Sequence, residues 1–337
     1  MSNNIKSTIA ILLLALTIHT TYPSPTMASP YNPPATRLRY HSGEMLDGDI
    51  PISILWYGGF TSLQKSIIHD FILSIVPNKT LPTPSVSQWW QTVDGFLLKA
   101  GKSRAHLRLA KETTDVACSI GRTLGNNDIR MLARRTGARK GGIGVVLTAV
   151  DVIVDGFCMR NCGFHRGQKD TTSPCYAVDC TSDVVSLGIA SRCCESDATT
   201  SYAYIWVGNS EAQCPGKCAW PFHQPEYMGP RYDTPPVGAP NGDVGMDGMV
   251  INLGKLLAGA VTNPFGNGLF QGEKMAPVEV GDVCPGVFGK DAYPGYAGDL
   301  LLDGRTGGCY NAHGVDGRKY LVPVMFDHHS GSCLMLV

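Results

Sequence analysis

Pro240 to Cys284 reads PNGDVGMDGMVINLGKLLAGAVTNPFGNGLFQGEKMAPVEVGDVC, and its middle carries the strongest helical signal beyond the N-terminus. Asp247 can cap a helix over about 248–262, in which Val250, Leu253, Leu257 and Val261 recur at helical spacing. Gly254, Ala258 and Gly259 keep part of that helix small, as close packing on a sheet requires. Asn263-Pro264 ends it, because proline lacks a backbone donor and restricts the residue before it. Asn267-Gly268 supplies a turn. Many secreted enzymes carry a metal-binding helix in such a slot; here the slot holds no ligands.

Upstream, Ile50 to Tyr57 alternates and is rich in branched and aromatic residues, which predicts a strand. Ser62 to Val76 follows as an amphipathic helix with Leu63, Ile67, Phe71 and Ile75 on one face. A strand passing at once into a helix begins an α/β layer. Ser85 to Leu98 reads as another helix, and Leu107 to Arg135 as a helix with basic residues on a solvated face. Gly144 to Val154 and Tyr202 to Val207 read as buried strands, and Lys319 to Phe326 as a last strand that Pro323 puts at an edge. Tyr227 to Pro240 is a Pro/Gly-rich connector. With 39 glycines and 22 prolines, the second half is expected to be loop-rich.

The N-terminus reads as a secretory signal over residues 1–28: Lys6 precedes the apolar run Ile9 to Ile18, too short to span a bilayer. Cleavage falls around Ser24 or after Ala28, leaving one domain over 29–337. Without those 28 residues the chain has 27 basic against 28 acidic residues, a net charge of −1. That balance lacks the basic excess of a nucleic-acid partner. No second apolar run of spanning length is visible, so no membrane insertion is expected. Twelve cysteines fit an oxidising compartment. The two CxxxC units, Cys158/Cys162 and Cys214/Cys218, suit disulfides first and a four-thiolate zinc site second. Asn78-Lys79-Thr80 is the single glycosylation sequon.

Known catalytic patterns are missing. None of the nine histidines has HExxH spacing, and neither a GxSxG elbow nor a P-loop occurs. Gly266-Asn-Gly268-Leu-Phe-Gln271 approaches the dinucleotide fingerprint but follows a helix instead of a strand. Asp243, Asp247, Glu279 and Asp282 form the densest carboxylate group, as caps and turn formers or as a glycoside-hydrolase pair. Trp89, Trp90, Trp206 and Trp220 suit either the core or sugar stacking. His223 lies in the rigid loop Trp220-Pro-Phe-His-Gln-Pro225, and His328-His329 reads as an exposed polar pair.

Several segments resemble the EXORDIUM-like (phosphate-induced protein) family of secreted plant proteins. They include Val145-Val-Leu-Thr-Ala149, Asp155-Gly-Phe-Cys-Met159, Tyr204-Ile-Trp-Val-Gly-Asn-Ser-Glu211 and Gln213-Cys-Pro-Gly-Lys-Cys-Ala-Trp-Pro-Phe-His-Gln-Pro225. Pro240-Asn-Gly-Asp243, Val261-Thr-Asn-Pro-Phe265 and Tyr310-Asn-Ala-His-Gly314 extend the match from about residue 40 to the C-terminus. The resemblance implies an apoplastic or cell-wall protein connected with growth, cell expansion and brassinosteroid or nutrient responses, with no assigned reaction. Gln168 to Thr200 departs from the family pattern. It carries Cys175, Cys180, Cys193 and Cys194, and reads as a lineage-specific loop or a gene-model error such as a retained intron.

A second resemblance is shorter. Ala260-Val-Thr-Asn-Pro264 with Glu279-Val-Gly-Asp282 and Cys284 is similar to the HELAEAVTDP…EIGDxC pattern of secreted zincin-type metalloproteases. Carried over by position, the metal histidine falls on Lys255, the catalytic glutamate on Leu256, the second ligand on Gly259 and the aspartate on Asn263. The expectation is a zincin-like α/β fold with a mixed sheet, a central helix and a disulfide-bonded second half, its site emptied. Cys158, Cys162, Cys214, Cys218, Cys284 and Cys333 are the disulfide candidates. Trp220, His223, Asp243 and Glu279 are the candidate ligand surface. No catalytic residue, metal or cofactor is expected, and the partner is a wall polysaccharide or an extracellular protein. The alternative is a hydrolase on wall polysaccharide or peptide, using Asp243 and Glu279.

Overall fold

Three apolar runs with side chains of alternating destination build the centre of the molecule. The computed structural model describes residues 37–78, 80–169, 201–224 and 235–337, all within one compact unit. Strands β1 (Gly48–Tyr57), β2 (Ala105–Asp115), β3 (Ile143–Thr148), β4 (Gly163–Lys169) and β5 (Ser201–Gly208) form one sheet in the order β2-β1-β3-β5-β4. The first four are parallel, and β4 closes one edge antiparallel to β5. Ile52, Ile54, Trp56, Val145, Leu147, Ile205 and Val207 enter the core on one face. Leu55, Tyr57, Val146, Tyr204 and Trp206 enter a second core on the other. Parallel strands covered on both faces read as continuous apolar runs, which is why β1, β3 and β5 stand out in the sequence.

Helices α1 (Ser62–Ile75), α2 (Val86–Lys99) and α4 (Val244–Thr262) supply the first core, and α3 (Asn126–Arg135) contributes Ile129, Leu132 and Ala133 to the second. Capping boxes set two starts: Thr61 with Gln64 on α1, and Ser85 with Gln88 on α2. Among the described residues α4 is the one helix long and apolar enough to cross a membrane, with mean hydropathy 1.3. Its apolar circumference is accounted for by burial between the sheet, α1, α2 and the second half.

The structure corrects several boundaries. Helix α4 starts at Val244 because Asp243, not Asp247, is its cap, accepting from Met246 N at 2.8 Å. Asp247 is wholly buried in the first turn and accepts from Asn241 N at 2.9 Å and Asn241 Nδ2 at 2.6 Å. Of the stretch 107–135 expected to be helical only Asn126–Arg135 is, as α3; Ala105–Asp115 is strand β2, which leaves His106 and Arg108 exposed. The predicted strand 144–154 stops at Thr148 and resumes as Ile153–Val154. The last predicted strand is interrupted around Pro323 into Lys319–Tyr320 and Met325–Asp327.

The second half is loop-rich, held by two-residue and three-residue ladders such as Ala312–His313 with Lys319–Tyr320. Disulfides join Cys158–Cys214, Cys162–Cys218 and Cys284–Cys333, so the two CxxxC units are bridged to each other. Asn78 of the sequon is exposed. The signal segment, the four cysteines of the atypical stretch and most of the 227–240 connector lie outside the described residues.

Candidate functional site

Between β4 and the C-terminal half of α4 the sequence leaves side chains out, and a cleft of about 980 Å³ opens along the strand. Residues 160–167 line one side; Lys255, Leu256 and segments 263–266 and 275–282 supply most of the rest. The helix comes close because glycine sits on both partners. A Cβ at Gly163 would come 2.8 Å from Leu256 Cδ1, and one at Gly167 would fall on the Phe265 ring. On α4, a Cβ at Gly259 would fall on Glu279 Oε2 and within 2.7 Å of His165 Nε2.

The space vacated at Gly259 is taken by a buried polar cluster. His165, from the middle of β4, meets Glu279 Oε2 through Nε2 at 2.6 Å. Asn263, the residue that ends α4, donates from Nδ2 to Glu279 Oε1 at 2.6 Å and accepts from Gly268 N at 2.7 Å. The His165 and Glu279 side chains are only 11% and 10% exposed, so removal of either partner strands a polar group out of water. The His165 Nδ1 atom is buried without a hydrogen-bond partner.

Towards the rim the cleft is charged and apolar by turns. Lys255 Nζ pairs with Asp282 Oδ1 at 3.1 Å, and Arg166 lies over the Phe164 ring at 4.7 Å. Met275 is 95% exposed, an unbranched apolar side chain standing in solvent at the mouth. Such side chains adapt to varied ligands.

Of the four expected ligand-surface residues, only Glu279 lines this cleft. Asp243 caps the opposite end of α4, sixteen positions before Gly259, or about 24 Å along a helix axis. Glycosidase carboxylates stand within about 10 Å of one another. The Asp243–Glu279 pair expected for a hydrolase therefore does not form. Trp220 is partly buried and packs on Phe288 at 5.7 Å; His223 is exposed with Nδ1 2.9 Å from Gln224 O. Trp89, Trp90 and Trp206 are buried, Trp89 donating to Pro323 O at 2.7 Å and Trp206 to Thr148 Oγ1 at 3.1 Å. A sugar-stacking role for these three is thereby removed.

Of the four positions carried over from the metalloprotease pattern, Lys255, Leu256 and Asn263 line the cleft and Gly259 backs it. Their donor set does not fit zinc: an ammonium already paired with Asp282, an alkyl chain, a hydrogen atom and an amide. Among the described residues no group of three or more His, Cys, Asp or Glu is arranged to hold a metal ion. Glu279 has both oxygens engaged by side chains of the fold, whereas a general base must reach the proton it takes. Sequence reasoning missed His165 and its strand; the alternation Gly163-x-His165-x-Gly167 was the available signal.

A family model described as "Phosphate-induced protein 1 conserved region" matches residues 38–336. Protein EXORDIUM of Arabidopsis thaliana is 46% identical over 308 residues, covering 89% of each chain. Protein PHOSPHATE-INDUCED 1 of Nicotiana tabacum is 48% identical over 304 residues, covering 89% of this chain and 88% of its own. Protein EXORDIUM-like 4 of Arabidopsis thaliana is 40% identical across the full length of both. No solved structure matches.

Proposed function

The chain belongs to the phosphate-induced protein 1 family, and from that premise we propose that it is an exported cell-wall protein that binds its ligand in the β4–α4 cleft without chemical turnover. The single observation that carries this reading is the filling of the Gly259 position by the locked His165–Glu279–Asn263 cluster. Catalytic equipment would need a base, a nucleophile or a metal ligand open to the cleft there; His165 Nδ1 is buried and Glu279 is held from both sides, which favours a rigid cleft wall. Three disulfides support an oxidising destination, in keeping with the N-terminal apolar run. The names of the relatives favour a place in growth and nutrient response, and brassinosteroid signalling belongs to the same proposal.

The scaffold is read as zincin-like: a mixed sheet with an antiparallel edge strand, and a central helix whose four carried-over positions face or back one cleft. On this reading binding has replaced hydrolysis. The test is retention of the purified protein on insoluble wall material, with Met275→Lys as the comparison. Met275 is so exposed that its replacement leaves stability within about 0.5 kcal/mol. Retention of the native protein, weakened about fivefold or more in the variant, supports the cleft as the site. Equal retention of the two would move the site elsewhere, and no retention would remove the binding reading.

A further inference from the structure

We propose that the cleft takes its ligand as an extended polypeptide, added as a sixth strand to the open edge of β4; this rests on the reading of the cleft as a binding site. The register of β4 on β5 decides which backbone groups are free. Gly163 stands opposite Val207, His165 opposite Ile205 and Gly167 opposite Ala203. Gly208 N donates to Cys162 O at 3.5 Å, so the pairs that exchange hydrogen bonds fall on residues 162, 164, 166 and 168. Gly163, His165 and Gly167 therefore turn their N–H and C=O groups away from β5. No backbone–backbone hydrogen bond among the described residues reaches these amides and carbonyls on that side.

All three residues line the cleft. They present donor and acceptor pairs repeating every second residue, about 6.6 Å apart. The complement of that repeat is another polypeptide backbone, the basis of strand addition at sheet edges. Sugar hydroxyls carry no matching spacing of alternate donors and acceptors along a line. An open edge facing bulk solvent would template aggregation. This one is recessed, with Leu256, Phe265, Met275 and Pro277 available to alternate ligand side chains and Lys255, Asp282 and Arg166 to the polar ones.

The probes are a bead-bound library of acetylated hexapeptide amides, from which the best binder is resynthesised, and cellohexaose and xylohexaose as sugars of comparable length. Amide exchange is followed by nuclear magnetic resonance on the full secreted chain. Without ligand, Gly163, His165 and Gly167 are expected to exchange faster than Phe164 and Arg166. The hexapeptide is expected to slow the first three by about tenfold or more, as their amides gain partners. N-methylating the peptide amides of one alternation phase is expected to weaken binding about tenfold or more, while the other phase is tolerated. Hexapeptide binding that is indifferent to methylation phase, or that leaves the three amides unprotected, overturns strand addition. Binding of the sugars but no peptide overturns the ligand class and leaves the binding reading standing. Loss of retention on wall material together with no binding of any probe overturns both.

Discussion

Replacing Gly259 by alanine sets two effects of opposite sign against each other. Intrinsic helix propensity favours alanine by about 1 kcal/mol at an interior position. The structure opposes it, because the new Cβ would fall on Glu279 Oε2 and within 2.7 Å of His165 Nε2. Those atoms cannot retreat freely, since Glu279 is held from both sides by His165 and Asn263 at 2.6 Å. Overpacking a filled site costs about 1–3 kcal/mol, and parting a buried charge from its partner about 3–5 kcal/mol. Partial relaxation of the cleft wall lies between these, and subtracting the propensity gain leaves a net loss of about 2–3 kcal/mol. For a chain of this size that is a fall in Tm of roughly 4 °C. Guanidinium unfolding of the oxidised protein, followed by Trp fluorescence, reads it directly. The double variant with Glu279→Ala should show coupling of about 1 kcal/mol or more, because the clash has lost one of its two partners. A Gly259→Ala protein as stable as the native chain, or more stable, refutes the packing argument for the cluster.

Glu279→Gln keeps the volume but turns an acceptor towards a donor, because Asn263 Nδ2 and His165 Nε2 both approach its carboxylate. The expected loss is about 1–3 kcal/mol, and an unchanged unfolding midpoint would contradict it. Burial pushes Asp247 up to about 7, against which the Asn241 hydrogen bonds only partly act. The folded chain thus binds this proton more tightly than the unfolded one, so its stabilisation is full below about pH 4 and is lost as pH rises through 7, amounting to about 4 kcal/mol. Unfolding midpoints across that window should fall with rising pH, and Asp247→Asn should flatten the slope; a slope unchanged in the variant counts against it. The bridges Cys158–Cys214 and Cys162–Cys218 each span 56 positions. With one intact the other closes only a small ring, so chain entropy predicts about 3 kcal/mol for losing either and about 7 kcal/mol for losing both. Equal losses for single and double removal would show that the two do not act in series.

What the sequence discloses follows burial. β1, β3 and β5 are covered on both faces, and α4 is apolar around most of its circumference, so each leaves an unbroken apolar run. Edge strands leave no such trace. β2 alternates Leu107 and Leu109 with His106 and Arg108 and passes into charged residues, and β4 carries two glycines and four polar side chains in seven residues. The site lies along the second of these, which is why it was hard to see. His165 and Glu279 are 114 positions apart, and nothing local marks their contact. Asp243 and Asp247 sit one helical turn apart and both suit a cap; the choice was made by Asn241, whose amide groups satisfy Asp247 inside the fold. Equal spacing within the two CxxxC units fits pairing inside each unit, pairing between them, or a shared metal, and only the fold selects the second.

The most direct test of a binding cleft without turnover is a mass balance. Purified protein is incubated with solubilised wall polysaccharide and wall peptides, and both the retained and the free material are weighed by mass spectrometry over time. The account predicts saturable retention near one ligand per chain, with the mass of the retained species unchanged after prolonged incubation. Accumulation of smaller fragments beyond one equivalent, lost in the Glu279→Gln protein, would contradict it and return the chain to the hydrolases.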